Sequence, residues 1–473
     1  MQHLIQQTLQ LIEELLSAEA DSDPLPRVAP DGLHCRESLQ LQPGGQPESE
    51  VLKTLRGIIA ETPRTSDPRF YNQLFAGRIP IATAGEVLAA YLNVSMYTYK
   101  ACGPHVLLEW EVLQRMLDLC GMPEGDGTFL PGGSLANLVG ALLGRNQAAP
   151  DMREHGAPAE RLITYVNADG HYSIAKNAGI LGMGRGNVRS IPVDERGRML
   201  PDALRAQIVQ DISDGHRPAV IIATSGTTVR GAFDPIAPMA SVAREFKVWL
   251  HVDAAVGGSI LLHPVEREKL AGIELADSVT WDAHKMMGVP LTCSALLVKD
   301  REILTRSFSE AAEYLFQVDN DHLNPGKRSI QCGRRNEALK LWTAWKHLGD
   351  EGWAARIEQQ RDLARHLAAQ VDAHPELELC EQPDLTMVNF VVPGKSSARI
   401  CDLLHERGDA IVGFGNCAGV ESIRMVTMNP EVTPEQLNRL LDEILEVAAD
   451  LPSDVPSAAD QRRMAASSVA SSS

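Results

Sequence analysis

Short apolar runs rich in β-branched residues alternate along the chain with longer segments whose apolar residues recur at helical spacing. The candidate strands cover 161–166, 187–193, 219–224, 248–253, 277–281 and 294–300, and helices are predicted over 171–181, 202–212 and 236–246. Nearly continuous apolar strands separated by helices indicate an α/β fold with a mostly parallel central sheet and helices on both faces. Ligands bind outside the carboxyl ends of such strands, so polar residues there are the first candidates for a site.

The two ends of the chain differ in pattern from this central part. An amphipathic helix is predicted within residues 1–16, followed by a Pro/Gly/Asp-rich arm. Beyond Gly352 the pattern predicts a helix over 353–371, strands near 376–379 and 385–392, and a helix over 434–447. We expect four segments: a helix and arm over 1–60, a large domain over 61–350, a small α/β domain over 351–450 and a disordered Ser/Ala/Asp-rich tail over 451–473. The helix and arm are expected to pack on a partner subunit or on the chain itself.

Composition and charge narrow the function. The chain has 473 residues, and 44 Lys and Arg against 62 Asp and Glu give a net charge of −18. This acid excess argues against nucleic acid and anionic membranes, and an acidic substrate would need a local cation. The eight cysteines form no CxxC pair or zinc-type cluster, so neither disulfides nor a metal are expected. Because the N-terminus lacks a secretory pattern and no apolar run could span a bilayer, we expect a cytoplasmic protein.

Two strand ends carry candidate catalytic residues. Asp253 lies in HVDAA at the end of one strand, and Lys285 lies in WDAHK after the next. Each has an ordinary interpretation, as a capping or turn Asp and as a solvated surface Lys. The apolar neighbours of the lysine instead favour an amine that forms a Schiff base. An Asp and a Lys on neighbouring strands are the arrangement that pyridoxal phosphate requires, because the Lys binds its aldehyde and the Asp keeps its ring nitrogen protonated.

Three further motifs could surround such a cofactor. PGGSLAN (131–137) precedes an apolar helical run and suits a phosphate, although Gly-Ser at a helix start is commonly only a cap. His171 in HYSIAK either caps a helix or stacks on the cofactor ring. The hydroxyls of ATSGTT (223–228) either form a turn or bind a phosphate or phenolic oxygen. The 131–137 motif does not have the GxxxxGK[ST] pattern of a nucleotide-binding loop.

In this order and spacing, these motifs closely resemble the group II pyridoxal-phosphate-dependent amino-acid decarboxylases. Four more segments are similar to the branch of glutamate and cysteine sulfinate decarboxylases: PRFYNQLFAG (68–77), YTY (97–99), YLFQ (314–317) and QCGRRNEALKLWTAWK (331–346). The resemblance runs from about Glu61 to Leu445. It implies the aminotransferase-like architecture of fold type I with a small C-terminal α/β domain, and pyridoxal 5'-phosphate as the cofactor. It also implies a homodimer in which the segment 314–335 covers the partner's cofactor.

The resemblance assigns roles to individual residues. Lys285 is similar to the lysine that binds the cofactor, Asp253 to the partner of the ring nitrogen, and His171 to the ring-stacking histidine. Gly133, Ser134 and His284 match positions of the family on the phosphate side of the cofactor, and Thr228 and Ala255 match positions around its ring. The positions that contact the substrate in the family match Gln73, Leu74, Phe75 and Arg424. Because a planar guanidinium suits bidentate binding of a carboxylate, Arg424 is the expected local cation.

Several positions depart from the pattern of the family. Asp282 and Ala283 stand where the family has Asn-Pro, and Lys100 stands where it has Glu. The loop after YLFQ is shorter, and His322 falls where the family has the tyrosine that protonates the carbanion. His322 is therefore either the catalytic proton donor or a solvated turn residue.

The expected reaction is decarboxylation of a small acidic L-amino acid (cysteine sulfinate, aspartate, glutamate or cysteate) to the amine and carbon dioxide. One alternative is a decarboxylase of the same fold acting on 2,4-diaminobutyrate or an aromatic amino acid, although Arg424 and Gln73 argue against a cationic substrate. A second is a carbon–carbon lyase for a phosphorylated substrate, suggested by Asp282, or a decarboxylation-linked oxidative deaminase. A third is a catalytically silent relative, against which the intact Lys285 and Asp253 argue.

Overall fold

The computed structural model describes residues 2–20, 25–26, 39–75, 77–310 and 323–471. Its helices are α1 (Gln2–Ala20), α2 (Glu48–Glu61), α3 (Pro80–Leu92), α4 (Tyr99–Cys102), α5 (His105–Leu119), α6 (Gly133–Ala148), α7 (Met152–His155), α8 (Ser173–Ile180), α9 (Pro201–Ser213), α10 (Ile236–Phe246), α11 (Ile303–Phe308), α12 (Ala338–Ala373), α13 (Ser397–Arg407), α14 (Pro434–Ala449) and α15 (Ala458–Ser471). Its strands are β1 (Asp126–Leu130), β2 (Leu162–Asn167), β3 (Val188–Ile191), β4 (Arg217–Thr224), β5 (Trp249–Asp253), β6 (Ser278–Asp282), β7 (Ser294–Val298), β8 (Glu378–Leu379), β9 (Met387–Val391), β10 (Gly413–Cys417) and β11 (Val420–Val426).

The chain divides into two compact units. The first contains Met1–Gly77, His366–Cys380 and Asn389–Ser473, and the second contains Arg78–Arg365 and Glu381–Val388. This division differs from the four expected segments, because the N-terminal residues share a unit with most residues beyond 365. None of the described helices is long and apolar enough to cross a membrane.

A seven-stranded sheet forms the centre of the second unit, in the order β1-β7-β6-β5-β4-β2-β3. The five strands from β6 to β3 pair in parallel, whereas β7 runs antiparallel to both of its neighbours. The predicted mostly parallel sheet is therefore confirmed. The sequence pattern missed β1, because DGTFL is short and begins with Asp-Gly, two residue types that strands disfavour.

Helix α6 packs directly against this sheet. A Cβ on Gly144 would lie only 2.7 Å from Val220 Cγ2 and 2.8 Å from Trp249 Cβ, so a glycine is needed for this close approach. The apolar side chains of α6, such as Leu138 and Leu143, are buried in the same core. Burying one leucine contributes about 1.5–3 kcal/mol, so this packing holds the start of α6 firmly at the edge of the sheet.

A second, four-stranded sheet has the order β10-β11-β9-β8 and lies mostly in the first unit. Its pairs β10–β11 and β8–β9 are antiparallel. The predicted strands near 376–379 and 385–392 correspond to β8 and β9, whereas β10 and β11 were not predicted. Helix α14 corresponds to the predicted terminal helix, and a capping box of Thr433 and Gln436 fixes its start.

The C-terminal segment differs from the disordered tail that we expected after residue 451. Residues 458–471 form α15, and its Ala458 is buried with Val391 and Val420. Gln461 Oε1 accepts a hydrogen bond from the Glu421 backbone N–H at 3.0 Å. Composition misled the prediction, because an alanine-rich segment has high helix propensity once a core is available for packing.

Candidate active site

A cavity of about 310 Å³ opens at the carboxyl ends of β4, β5 and β6 in the second unit. All eight residues predicted to surround the cofactor line it: Lys285, Asp253, His171, Gly133, Ser134, Thr228, Ala255 and His284. The structure thus brings these residues together at the edge of the sheet where ligands bind in such folds. Their individual roles remain predictions.

Asp253 is the last residue of β5, and its side chain is buried. Its Oδ2 accepts a hydrogen bond from Asn137 Nδ2 at 2.7 Å, and its Oδ1 accepts one from the Ala255 backbone N–H at 3.2 Å. Burial raises the pKa of Asp253, and the nearby Lys285 opposes this rise. A carboxylate held in this way stabilises a cation placed against it, such as a protonated ring nitrogen.

Lys285 follows β6 and stands beside a second carboxylate. Its Nζ lies 3.3 Å from Asp282 Oδ2. Asp282 is only 1% exposed, and its Oδ1 has no hydrogen-bond partner among the described residues. The neighbours Trp281 and Met286 are fully buried, as the sequence indicated. The apolar surroundings expected for the lysine are therefore interrupted by the Asp282 carboxylate, which lines the cavity beside it.

His171 lies in the turn before α8 and lines the same cavity. Its Nδ1 accepts a hydrogen bond from the Ser173 backbone N–H at 3.3 Å and lies 2.7 Å from Ser173 Oγ. Burial lowers the pKa of His171, while Asp253 opposes this effect. The neutral ring carries its proton on Nε2, because Nδ1 is an acceptor here. A neutral imidazole in this place suits stacking on an aromatic cofactor ring.

The start of α6 forms the side of the cavity that suits an anion. Gly132 has a φ of 102° and precedes the first residue of the helix, Gly133, and no described side chain caps this end. Asn177 Nδ2 donates a hydrogen bond to Ser134 O at 2.8 Å, which fixes the first turn. The N–H groups at such a helix start attract a phosphate. With the amine, the buried carboxylate and the imidazole, the lining fits pyridoxal phosphate.

The predicted substrate residues lie in the first unit. Arg424 of β11 donates a hydrogen bond to Asn72 O, and burial lowers the pKa of Arg424. Gln73 is exposed, whereas Leu74 and Phe75 are half-buried. Within this unit, the structure therefore places Arg424 beside the segment that begins at Asn72.

His322 lies outside the described residues. Asn137 and Asp282 also line the cavity, although the sequence analysis gave neither a role in binding the cofactor: Asn137 ends the motif PGGSLAN, and Asp282 is the departure in WDAHK. In the part of the chain that the structure describes, no group of His, Cys, Asp and Glu could hold a metal ion.

Residues 30–392 match the pyridoxal-dependent decarboxylase conserved domain. The chain belongs to this family, and it is a carboxy-lyase whose cofactor is pyridoxal phosphate. This confirms the resemblance seen in the motifs.

Two curated relatives and two solved structures illustrate the match. Cysteine sulfinic acid decarboxylase of Mus musculus is 39% identical over 437 residues, which cover 88% of this chain and 89% of the relative. Acidic amino acid decarboxylase GADL1 of Mus musculus is 37% identical and covers 88% of this chain and 80% of the relative. The crystal structure of mouse CSAD covers 95% of this chain and 99% of its own, with a TM-score of 0.90 and 34% identity. The match to the crystal structure of Oryza sativa TDC with PLP and tryptamine covers 95% of this chain and 97% of the TDC chain, with a TM-score of 0.87 and 25% identity. The predicted fold type I architecture is thereby confirmed.

Proposed function

We propose that this enzyme removes carbon dioxide from a small acidic L-amino acid: cysteine sulfinate, aspartate, glutamate or cysteate. The observation that carries the proposal is the joint lining of one cavity by Lys285, Asp253 and His171. The substrate class is supported by the names of the relatives, which are decarboxylases of cysteine sulfinic acid and of acidic amino acids.

The residues of the cavity take separate roles toward the cofactor. Lys285 binds its aldehyde, Asp253 pairs with its ring nitrogen and His171 stacks on its ring. Gly133, Ser134 and His284 lie on its phosphate side, with Thr228 and Ala255 around the ring. When bound, the cofactor withdraws electrons from the substrate α-carbon, which makes the loss of carbon dioxide possible.

The acidic substrate needs a cation, and Arg424 supplies it. The guanidinium is oriented by its hydrogen bond to Asn72 O, in the segment that continues into Gln73, Leu74 and Phe75. A planar guanidinium holds a carboxylate by two parallel hydrogen bonds, and an overall charge of −18 makes such a local cation necessary.

The proposed substrate class is tested by a panel of amino acids with amine and carbon dioxide as the two products measured. The panel includes 2,4-diaminobutyrate and tryptophan, which represent the alternative decarboxylases.

Arg424→Gln should lower kcat/KM for the acidic substrate by about 100-fold, because a charged bidentate contact is lost. Arg399→Gln is the matched control, because Arg399 is an exposed arginine of α13 paired with Glu406. Turnover only of cationic or aromatic amino acids, or an unchanged Arg424→Gln enzyme, would contradict the proposal.

His322 is proposed as the acid that protonates the α-carbon after carbon dioxide has left. The support is its position after YLFQ, where the family has a tyrosine. His322→Phe should then shift the products from the amine toward those of transamination or oxidative deamination. An unchanged amine yield and an unchanged lifetime of the active cofactor would rule this role out.

A homodimer is proposed on the basis of two exposed apolar faces, one in each unit. The apolar face of α1 consists of Leu4, Ile5, Leu9, Ile12 and Leu16. The apolar face of α3 consists of Ile81, Val87, Leu88, Tyr91 and Leu92. Contiguous apolar surface of this kind marks an association site. Sedimentation should give twice the chain mass of 51.5 kDa. Full activity of a diluted, monomeric enzyme would contradict a site completed by the partner subunit.

A cytoplasmic location is proposed from the state of the cysteines. Five cysteines in the described ranges are thiols outside any disulfide, and four of these five are buried: Cys102, Cys120, Cys293 and Cys401 are buried and Cys332 is exposed. Unpaired cysteines are typical of a reducing compartment. Fractionation of source cells, with activity as the marker, tests this location.

A further inference from the structure

A chain of buried polar side chains leads from Asp253 away from the cavity into the sheet. Asn137 Nδ2 donates to Asp253 Oδ2 at 2.7 Å, and Asn137 Oδ1 lies 2.9 Å from His251 Nε2. On the other side of the imidazole, His251 Nδ1 lies 2.8 Å from Ser278 Oγ, which accepts a hydrogen bond from Trp249 Nε1 at 3.0 Å. These five residues come from α6, β5 and β6, and all are buried.

The chemistry of the two ends fixes the direction of every hydrogen bond between them. A carboxylate only accepts, so the NH₂ group of Asn137 must face Asp253 and its oxygen must face His251. His251 therefore carries its proton on Nε2. At the other end, an indole N–H only donates, so Ser278 accepts from Trp249 and keeps its own proton available for His251 Nδ1. With its proton on Nε2 and Nδ1 accepting from Ser278, the imidazole is neutral.

The surroundings of His251 keep this ring in one orientation. A Cβ on Gly140 of α6 would lie 2.5 Å from His251 Cε1, so the backbone of α6 packs directly against the imidazole. The ring is fully buried, and burial lowers its pKa to about 3, which keeps it neutral. An imidazole locked in position and tautomer fixes the amide of Asn137 in turn.

We propose that Asn137 and His251 are positioning residues that hold the Asp253 carboxylate in the orientation required by the cofactor ring nitrogen. Oδ2 accepts a hydrogen bond from Asn137 and Oδ1 accepts one from the Ala255 N–H, so both carboxylate oxygens have a partner that opposes rotation. This inference rests on the proposed pairing of Asp253 with the ring nitrogen. It adds two residues that act through Asp253 rather than on the cofactor itself.

The test compares two cofactors, pyridoxal phosphate and an analogue in which a C–H group replaces the ring nitrogen. Dissociation constants are measured on the cofactor-free enzyme by quenching of protein fluorescence. Asn137→Leu should weaken binding of pyridoxal phosphate about tenfold or more, because a hydrogen bond to a charged group is lost. Binding of the analogue should weaken by less than about threefold, because it makes no contact that depends on the Asp253 charge.

Three further variants make the outcome decisive. Asp253→Asn should show selective loss for pyridoxal phosphate, which tests the pairing itself. His251→Gln should show the same selectivity with a smaller loss of about threefold, and it decides the question if Asn137→Leu does not fold. Thr280→Val is the matched control, because Thr280 Oγ1 lies 3.2 Å from the same His251 Nε2 but does not belong to the path through Asn137 to Asp253; it should change neither constant.

The results separate the inference from the pairing on which it rests. Equal losses for both cofactors in Asn137→Leu and His251→Gln, with selective loss in Asp253→Asn, would overturn the positioning role alone. Equal losses in Asp253→Asn as well would overturn the proposed pairing. Selective loss in Thr280→Val would also contradict the inference, because the effect would not depend on the chain through Asn137.

Discussion

The buried imidazole of His251 should make this protein lose stability in mild acid. His251 is fully buried in β5, and burial lowers its pKa from 6.5 to about 3. Below about pH 6.5 the unfolded chain binds a proton at this ring, whereas the folded chain does not bind it until about pH 3. The contribution of the neutral ring to stability is therefore complete above the unfolded pKa and is lost as the pH falls below it.

The two pKa values give the size of this loss. The free energy of unfolding should decrease by about 2 kcal/mol between about pH 7.5 and about pH 5 because of this one histidine. His251→Gln removes the titrating group but keeps an N–H that can face Asn137. Whatever its stability at neutral pH, the variant should lose about 2 kcal/mol less than the wild type over the same change in pH.

The assay is denaturant unfolding of the cofactor-free wild type and of His251→Gln at both pH values. His155→Gln serves as the control, because His155 is an exposed histidine of α7 and its removal should leave the acid loss unchanged. An equal acid loss in the wild type and in His251→Gln would refute the reasoning. A His251 imidazole resonance that titrates near its ordinary pKa in NMR spectra would refute it as well.

Three other outcomes are expected. Lys285→Ala should purify without the violet absorption of covalently bound cofactor, and retention of that band would place the covalent bond on another lysine. Glu109→Gln should lower the free energy of unfolding by about 3–5 kcal/mol, because Arg334 donates to both oxygens of Glu109 at 2.7 Å and both side chains are only 2% exposed. A loss below about 1 kcal/mol, as is typical of surface pairs, would contradict this. Burial raises the pKa of Asp234 to about 6, so this carboxyl should contribute a loss of about 2 kcal/mol of stability as the pH rises from about 4 to 6, opposite in sign to the contribution of His251. Asp234→Asn should remove this contribution, so the variant should gain about 2 kcal/mol more stability than the wild type over that rise in pH, and an equal change in both unfolding curves would assign the loss to another group.

The candidate site was predicted to different degrees at its different residues. Asp253 and Lys285 could be found because each follows an apolar strand and carries a chemistry that one cofactor requires. The contact between Asp282 and Lys285 could not be predicted, since the sequence shows only that Asp282 departs from the pattern of the family. Arg334 stands in a segment that carries the resemblance, yet the structure shows it in a buried ion pair with Glu109.

The fold was predicted in the same uneven way. Strands β2 to β7 were found because a continuous apolar run reports burial on both faces of a sheet. The short β1, the exposed residues of β10 and the alanine-rich α15 gave no such signal. Their backbones pair or pack with residues far away along the chain, and local periodicity contains no information about those partners.

The sequence by itself determined the order of strands and helices, the family and the cofactor chemistry, because these depend on neighbouring residues and on motifs of a few positions. Only the tertiary structure decided what surrounds each chemical group. Asn137 and His251 are 114 positions apart, and they meet because α6 crosses the sheet at Gly140. The tautomer of His251 and the fixed orientation of Asp253 follow from that crossing, since hydrogen-bond direction is set by partners in space rather than by order along the chain.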